Sequence, residues 1–189
     1  MVFNLSKTKW VLIFTYMSMF VLGISDNIRG PLYPELLKYF NLNNSEASLS
    51  FAFASGAAFF GNGLGALILK KIHLDRLLTI SIFLMMSGLF IMGMSSQFNI
   101  YLFGTIIYGF SLGSTGVAQN LLIAENSNSH NQTKSISGLH GIYGLSSFIA
   151  PFLASRAPIW FSDHPNGWTY MVEWQSAFFI TCAIAFVVL

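Results

Sequence analysis

Apolar residues occur along this chain in long runs that short polar segments separate. A helix needs about 20 mostly apolar residues to cross a bilayer. The pattern predicts six such helices: Trp10 to Ile28, Ser48 to Leu69, Leu77 to Met94, Ile100 to Ala124, Ser135 to Ala154 and Trp174 to Leu189. The sequence therefore predicts an all-α membrane protein with six transmembrane helices.

The first apolar run ends in the polar segment Ser25-Asp-Asn-Ile-Arg-Gly-Pro31. Asp26 and Arg29 lie three residues apart, so on a helix they share a face. Glycine and proline residues follow, and these bend or end a helix. The first helix is predicted either to end at Ile28 or to continue, bent, as far as Tyr39.

Composition supports a membrane protein. Of the 189 residues, 54% are hydrophobic and 8% are charged, whereas soluble domains carry about 25% charged residues. The net charge of +2 comes with no basic run, so no nucleic-acid partner is expected. A single cysteine, Cys182, excludes a disulfide framework within the chain and a cysteine metal cluster.

The sequence shows no set of motifs that would indicate an enzyme. It contains no phosphate-binding loop, and its four histidines have no metal-ligand spacing. The segment from Gly61 to Gly65 resembles a dinucleotide-binding glycine pattern, but it lies inside a predicted membrane helix. We expect no enzyme activity, no cofactor and no metal.

Basic residues are distributed unevenly between the predicted loops, and cytoplasmic loops favour Lys and Arg. Six of the nine fall at the N-terminus and in the second and fourth loops, namely Lys7, Lys9, Lys70, Lys71, Arg76 and Lys134. This bias predicts that both termini lie in the cytoplasm, and we expect a protein of the inner membrane. The aromatic residues Trp168, Tyr170 and Trp174 are then expected to anchor the sixth helix at the outer interface.

The chain is predicted to form one bundle over residues 1–189. Helices one to four occupy residues 1–124, a polar cytoplasmic loop occupies 125–134, and helices five and six occupy 135–189. Six helices suit a three-plus-three arrangement. No internal sequence repeat is visible that would prove it.

Small residues recur at helical spacing in the second, fourth and fifth predicted helices. The glycines are Gly61 and Gly65, then Gly109, Gly113 and Gly116, then Gly141 and Gly144. The polar residues beside them are Asn62, Gln119, Asn120 and His140. Such stripes allow membrane helices to approach closely. They either only pack helices or surround a cavity, and their polar neighbours favour the cavity.

The third and sixth predicted helices have few polar residues in their interiors. We therefore expect these two helices to face lipid and to support the bundle from outside. On this basis, Gly113→Leu in the fourth helix is expected to damage folding or transport more than Gly88→Leu in the third.

Three short segments carry a resemblance to a known family. They are the stretch from Pro34 to Leu49, the turn from Gly65 to Ile72, and Leu112-Gly113 with Asn120. Together with the six predicted helices, they make the chain similar to the N-terminal half of a major facilitator superfamily transporter. Within that superfamily the chain resembles the fucose–proton symporter branch.

The chain departs from these relatives at several points. Leu69 stands where the superfamily's loop signature has an aspartate, although Lys70 and Lys71 supply its basic residues for gating. Gly116 stands where the symporter branch has an acidic residue, and the Gly-Pro pattern of antiporters is missing from helix five. The chain also supplies only one of the two six-helix halves.

The resemblance implies secondary transport of a small polar solute, such as a sugar, by alternating access. Coupling to a proton is part of this hypothesis. A second six-helix half would come from a C-terminal half, a partner chain or a second copy, and the assembly would be surrounded by membrane lipid. The alternative is a non-transporting six-helix subunit or assembly module.

Asp26 and Arg29 are the strongest candidates for substrate binding or coupling, because ionisable residues inside a membrane are usually functional. The alternative is a structural ion pair near the outer interface. His140 either relays protons or is a satisfied core residue. Asn62, Gln119 and Asn120 either bind a hydroxylated solute or make packing hydrogen bonds.

The loop charges lead to a topology prediction. A cysteine at position 129 should react with an impermeant reagent only from the cytoplasm, and one at position 162 only from outside. Accessibility labelling of Ser129→Cys and Ser162→Cys checks this. Labelling of the first position solely from outside would contradict the orientation.

Overall fold

A computed structural model describes residues 5–69, 71–128, 130–162 and 174–189. These residues contain seven helices. They are α1 (Leu5–Asn27), α2 (Tyr33–Phe40), α3 (Asn44–Ile68), α4 (Leu74–Met94), α5 (Phe98–Asn126), α6 (Gln132–Ser162) and α7 (Gln175–Val188). The predicted all-α class is confirmed.

The polar segment after the first apolar run ends α1. The helix stops at Asn27, and a turn over residues 28–32 leads into α2. Pro34 lies in the first turn of α2, where its missing N–H needs no partner. Asn41 ends α2 in the left-handed conformation, at φ 52°. The alternative of one bent helix continuing to Tyr39 is therefore wrong.

A reciprocal pair of hydrogen bonds fixes the start of α3. The Asn43 side chain accepts a hydrogen bond from the Glu46 backbone N–H at 2.9 Å. The Glu46 carboxylate accepts one from the Asn43 N–H, also at 2.9 Å. This capping box satisfies two backbone donors, so α3 begins four residues before the predicted Ser48.

Five of the described helices, α1, α3, α4, α5 and α6, are long and apolar enough to cross a membrane. The helix α7 is shorter, with 14 residues. The helix α6 continues to Ser162 through Pro151 and Pro158, beyond the predicted end at Ala154. The predicted loop from Arg156 to Glu173 therefore begins as helix, and its residues 163–173 lie outside the described ranges.

The helix α5 occupies the centre of the packing. It packs extensively against α4 and α3, while α1 packs mainly against α6 and also against α5. Tyr101, Thr105 and Tyr108 of α5 are fully buried. Of the five long helices, α3 and α6 bury the smallest share of their residues.

Glycines bring α3 and α5 into backbone contact. A Cβ at Gly61 would overlap the Phe110 carbonyl oxygen, and Cβ atoms at Gly109 and Gly113 would overlap carbonyl oxygens of α3. A Cβ at Gly65 would lie 3.4 Å from Ser114. These four glycines of the predicted stripes therefore form a packing surface.

The remaining glycines of the stripes do not pack in this way. A Cβ at Gly116, Gly141 or Gly144 would meet no neighbouring atom within 4 Å among the described residues. The expectation that they bring helices of this chain together is therefore wrong for the described structure. Helical spacing alone does not reveal which side of a helix meets a neighbour.

The expectation that the third predicted helix only faces lipid is also wrong. One side of α4 is buried, with Leu78, Ile82 and Leu89 fully covered. A Cβ at Gly88 would lie 2.6 Å from the Tyr108 backbone nitrogen, and Ser81 donates a hydrogen bond to Ser114 at 2.8 Å. Gly88 therefore belongs to a close contact between α4 and α5.

The sixth predicted helix is likewise packed into the bundle. Phe178 and Thr181 of α7 are fully buried, and α7 contacts α4, α1 and α6. Trp174 is 1% exposed and lies edge-on to Tyr101 and Phe178. It therefore does not serve as an exposed interfacial anchor. The other two predicted anchors, Trp168 and Tyr170, lie outside the described residues.

The glycine contacts predict that Gly→Ala substitutions at different positions change the stability of the protein by different amounts. Gly113→Ala and Gly88→Ala should each lower the melting temperature of the purified protein, because the added methyl group meets backbone atoms. Gly63→Ala should leave it unchanged or raise it slightly, since nothing lies within 4 Å and alanine favours a helix. Equal melting temperatures for all three variants would contradict these contacts.

Candidate functional site

The predicted ion pair forms at the C-terminal end of α1. The Arg29 NH2 group donates a hydrogen bond to Asp26 Oδ1 at 2.8 Å. The Arg29 side chain is 8% exposed, whereas that of Asp26 is 28% exposed. The cation is therefore buried, and the carboxylate remains partly accessible.

Two aromatic rings enclose the guanidinium group. Its central carbon lies 4.8 Å from the ring centroid of Tyr108 in α5 and 5.4 Å from that of Phe51 in α3. Ring faces attract a cation within about 6 Å. Arg29 thus connects the end of α1 to α3 and α5.

The second carboxylate oxygen of Asp26 connects α1 to α6. Tyr143 donates a hydrogen bond from its hydroxyl to Asp26 Oδ2 at 2.8 Å. Beside it, Asn27 Nδ2 donates to Ser147 Oγ at 2.9 Å. A Cβ at Gly23 would overlap the Ser146 hydroxyl, so the two helices approach closely one turn earlier. Asp26 therefore bonds to both Arg29 and α6.

This cluster of Asp26, Asn27, Arg29, Tyr143 and Ser147 is the candidate site. It combines a carboxylate, a guanidinium, an amide and two hydroxyl groups. Asp26, Asn27, Tyr143 and Ser147 are only partly buried, so they can exchange their present hydrogen bonds for bonds to a solute. Protonation of the carboxylate would also remove the charge that Arg29 pairs with.

Other predicted site residues lie elsewhere. Asn62, Asn120 and His140 are exposed on the surface of the described bundle, and Asn120 Nδ2 donates a hydrogen bond to the Gly116 carbonyl at 2.8 Å. Lys71 is also exposed. Lys70 lies outside the described residues. No hydrogen bond within the described residues joins any of these exposed side chains to the Asp26 cluster.

Gln119 has a different environment from its neighbour Asn120. It is fully buried and donates a hydrogen bond from Nε2 to Ser18 Oγ of α1 at 2.9 Å. In this structure it makes the packing hydrogen bond that was one of its two predicted roles. It does not lie on the exposed surface of the described residues.

Sequence reasoning missed Asn27, Tyr143 and Ser147 as members of the site. Tyr143 and Ser147 lie three and seven residues after His140 and so lie near the same face of the helix. That spacing was the available signal in α6. Asn27 directly follows Asp26 but was not singled out, because its contact with α6 depends on how the helices pack.

Two tyrosine hydroxyl groups join α1 and α6. We expect their removal to lower the free energy of unfolding by different amounts. Tyr143→Phe removes a donor to a carboxylate, whereas Tyr16→Phe removes one to the Ser135 carbonyl at 3.1 Å. Bonds to charged groups contribute about 1.5–3 kcal/mol and neutral ones about 0.5–1.5 kcal/mol. Partial exposure brings the first cost towards the lower end.

Denaturant unfolding of both variants beside wild type measures these costs. Tyr143→Phe should be destabilised more than Tyr16→Phe. The reverse order is incompatible with a hydrogen bond between Tyr143 and Asp26.

The chain matches known transporters in sequence. Its residues 15–189 match the sequence profile of the Major Facilitator Superfamily. It is 26% identical over 142 residues to the sodium-dependent glucose transporter 1A of Mus musculus. The aligned region covers 75% of this chain and 33% of that protein.

Solved structures show the same fold. The proton:xylose symporter XylE bound to 6-bromo-6-deoxy-D-glucose superposes with a TM-score of 0.79 at 15% identity, over 98% of this chain and 44% of that one. An inward-open XylE from E. coli superposes at 0.78 and 15% identity, over 96% and 46%. A peptide transporter, POT, in complex with sulfate superposes at 0.75 and 13% identity, over 94% and 36%.

The chain spans about a third of the length of the mouse transporter and less than half of these three solved chains. The profile match nevertheless covers most of its residues, and the matched proteins are transporters rather than enzymes. The resemblance to this family is confirmed, and so is a multi-pass membrane protein. The chain belongs to the Major Facilitator Superfamily.

Proposed function

We propose that this chain forms the N-terminal half of a secondary active transporter that moves a small polar solute, with a sugar as the leading class. Transport would follow alternating access and would be coupled to a proton through Asp26. One observation carries the proposal: a carboxylate at the end of an apolar helix is paired with a buried guanidinium and bonded to a second helix.

The chemistry of the cluster suits a hydroxylated solute. Sugar hydroxyl groups both donate and accept hydrogen bonds, and the cluster offers both kinds of group. Asp26 accepts, while Asn27, Tyr143 and Ser147 each carry a donor. The glucose and xylose named for two of the matched transporters support the same solute class.

Coupling would follow from the two bonds of Asp26. When Asp26 is charged, it holds Arg29 on one side and the Tyr143 hydroxyl on the other. A bound proton removes the charge that strengthens both bonds, so the contact between α1 and α6 weakens. Protonation would therefore change the relative energies of two helix arrangements, which is what coupling requires.

A second six-helix half is part of the proposal. The large apolar side chains Phe59 and Phe60 of α3 and Phe148 and Phe152 of α6 are exposed in the described chain. In hydrocarbon, each unsatisfied polar group would cost several kcal/mol, so the exposed Asn62, Asn120 and His140 need a partner or water. We assign these exposed residues to the contact with the second half, with the solute between the halves.

The finer architecture belongs to the same proposal. It comprises six spans in a three-plus-three arrangement, an inner-membrane location with both termini in the cytoplasm, and surrounding lipid. Gly116, Gly141 and Gly144 meet no atom of the described chain within 4 Å. We assign them to the contact with the second half, where their small size permits close approach.

Asp26→Asn tests the coupling role. The amide cannot carry the proton, so uphill accumulation should be lost, while downhill exchange of the solute should persist. Counterflow and proton-driven uptake in proteoliposomes, with the complete transporter and a panel of sugars, measure the two modes. Glu35→Gln is the matched control, because Glu35 is exposed on α2 and should keep both modes.

Two other outcomes carry different meanings. Loss of expression and of both modes in Asp26→Asn would identify a structural ion pair that fixes α1. Accumulation at the wild-type level would remove Asp26 from the mechanism and make His140 the next candidate. Absence of exchange for every solute in wild type would favour a non-transporting subunit.

A further inference from the structure

Thr115 in α5 is an exception among the fully buried threonines of the described chain. Thr15, Thr105 and Thr181 each donate a hydrogen bond to the backbone carbonyl four residues earlier, at 2.8–2.9 Å. Thr115 is equally buried, at 0% exposure, but its hydroxyl has no partner among the described protein atoms. A buried hydroxyl without a partner is costly, so this group requires an explanation.

A second unpartnered polar atom lies one helical turn away. Gln119 is also 0% exposed, and its Oε1 has no partner in the described chain, although its Nε2 donates to Ser18 Oγ. Exchanging the amide oxygen and nitrogen would change which atom is unpartnered without removing the problem. Residues four apart on a helix are neighbours, so both atoms belong to one locality.

This locality lies where α5 meets α1. The Gln119–Ser18 hydrogen bond joins the two helices on one side of it, and the contact between Ser25 Oγ and the Tyr108 hydroxyl, at 3.3 Å, joins them on the other. Because the helices run antiparallel, Thr115 lies between these two links. Helical spacing of seven and four residues places Thr115 on the same side of α5 as Tyr108 and Gln119, and both of these bond to α1.

We propose that Thr115 and Gln119 bind one buried water molecule between α1 and α5. Buried waters typically make about three hydrogen bonds to polar groups that otherwise lack partners. Water can donate to the amide oxygen and exchange a hydrogen bond with the hydroxyl. A metal cation is a poorer occupant, because two neutral side-chain oxygens are too few ligands and no acidic side chain is among them.

The site gives the α1–α5 interface a particular property. A direct side-chain bond breaks when two helices shift, whereas a water can reorient and keep both groups satisfied. Thr115 and Gln119 Oε1 would then keep a hydrogen-bond partner through small shifts at this point of the interface. This inference does not depend on the solute or on the coupling ion.

The proposed water site is tested by whether Thr115→Val raises or lowers the melting temperature. Thr115→Val keeps the shape but removes the hydroxyl. If water bridges the pair, the valine variant should melt about 2–4 °C lower, the shift typical of 1 kcal/mol in a protein of this size. An unpartnered hydroxyl without water would give the opposite sign, because valine would remove a buried polar group.

Two matched variants complete the measurement. Thr105→Val alters an equally buried threonine of the same helix that donates to Tyr101, so it measures the loss of a known hydrogen bond, and Thr115→Val should change the melting temperature in the same direction. Thr115→Ser keeps the hydroxyl and should melt closer to wild type than Thr115→Val. The proteins are compared in detergent as complete chains, in sodium chloride and in choline chloride.

A higher or unchanged melting temperature for Thr115→Val would overturn the proposal. A loss that appears only in sodium chloride would also overturn it, since it would identify a cation rather than water. If Thr115→Val does not accumulate, an experimental structure of wild type decides. Density between Thr115 Oγ1 and the Gln119 amide supports the site, and direct packing without density contradicts it.

Discussion

The burial of the Arg29 guanidinium is the constraint on which the arrangement around the end of α1 depends. A buried cation must be compensated, and here the compensation comes from three directions. Asp26 supplies the opposite charge, while Phe51 and Tyr108 supply ring faces. These partners belong to α1, α3 and α5, so one side chain fixes the relative position of three helices. Tyr143 extends the same network to α6.

The network lies between helices that meet through close backbone packing and helices that side-chain hydrogen bonds join. Glycines bring α5 into contact with α3 and α4, where any side chain would overlap backbone atoms. The helices α1 and α6 also approach closely at Gly23, and hydrogen bonds of partly buried side chains join them one turn later. In the proposed transporter, the first contact is suited to hold a scaffold. The second can respond to a change in charge at Asp26.

Exposed faces are the other feature with functional meaning. In this chain α3 and α6 expose large aromatic side chains, and the polar residues Asn62, Asn120 and His140 lie uncovered as well. Apolar exposure alone suits lipid, but polar exposure in hydrocarbon does not. In the proposed transporter, this combination is assigned to the contact with the second half, with the solute between the halves.

The sequence by itself determined the helical class, the approximate limits of most long helices, the ion pair and the family. Each follows from residues that are close together in the sequence: the length of the apolar runs, the three-residue spacing of Asp26 and Arg29, and short family motifs. Tertiary structure alone decided that Gly88 is packed, that Trp174 and Gln119 are buried and that Tyr143 bonds to Asp26. These facts depend on which side of one helix meets another. Helical periodicity places residues on a common face, but the rotation of that face relative to its neighbours is set by packing between segments distant in sequence.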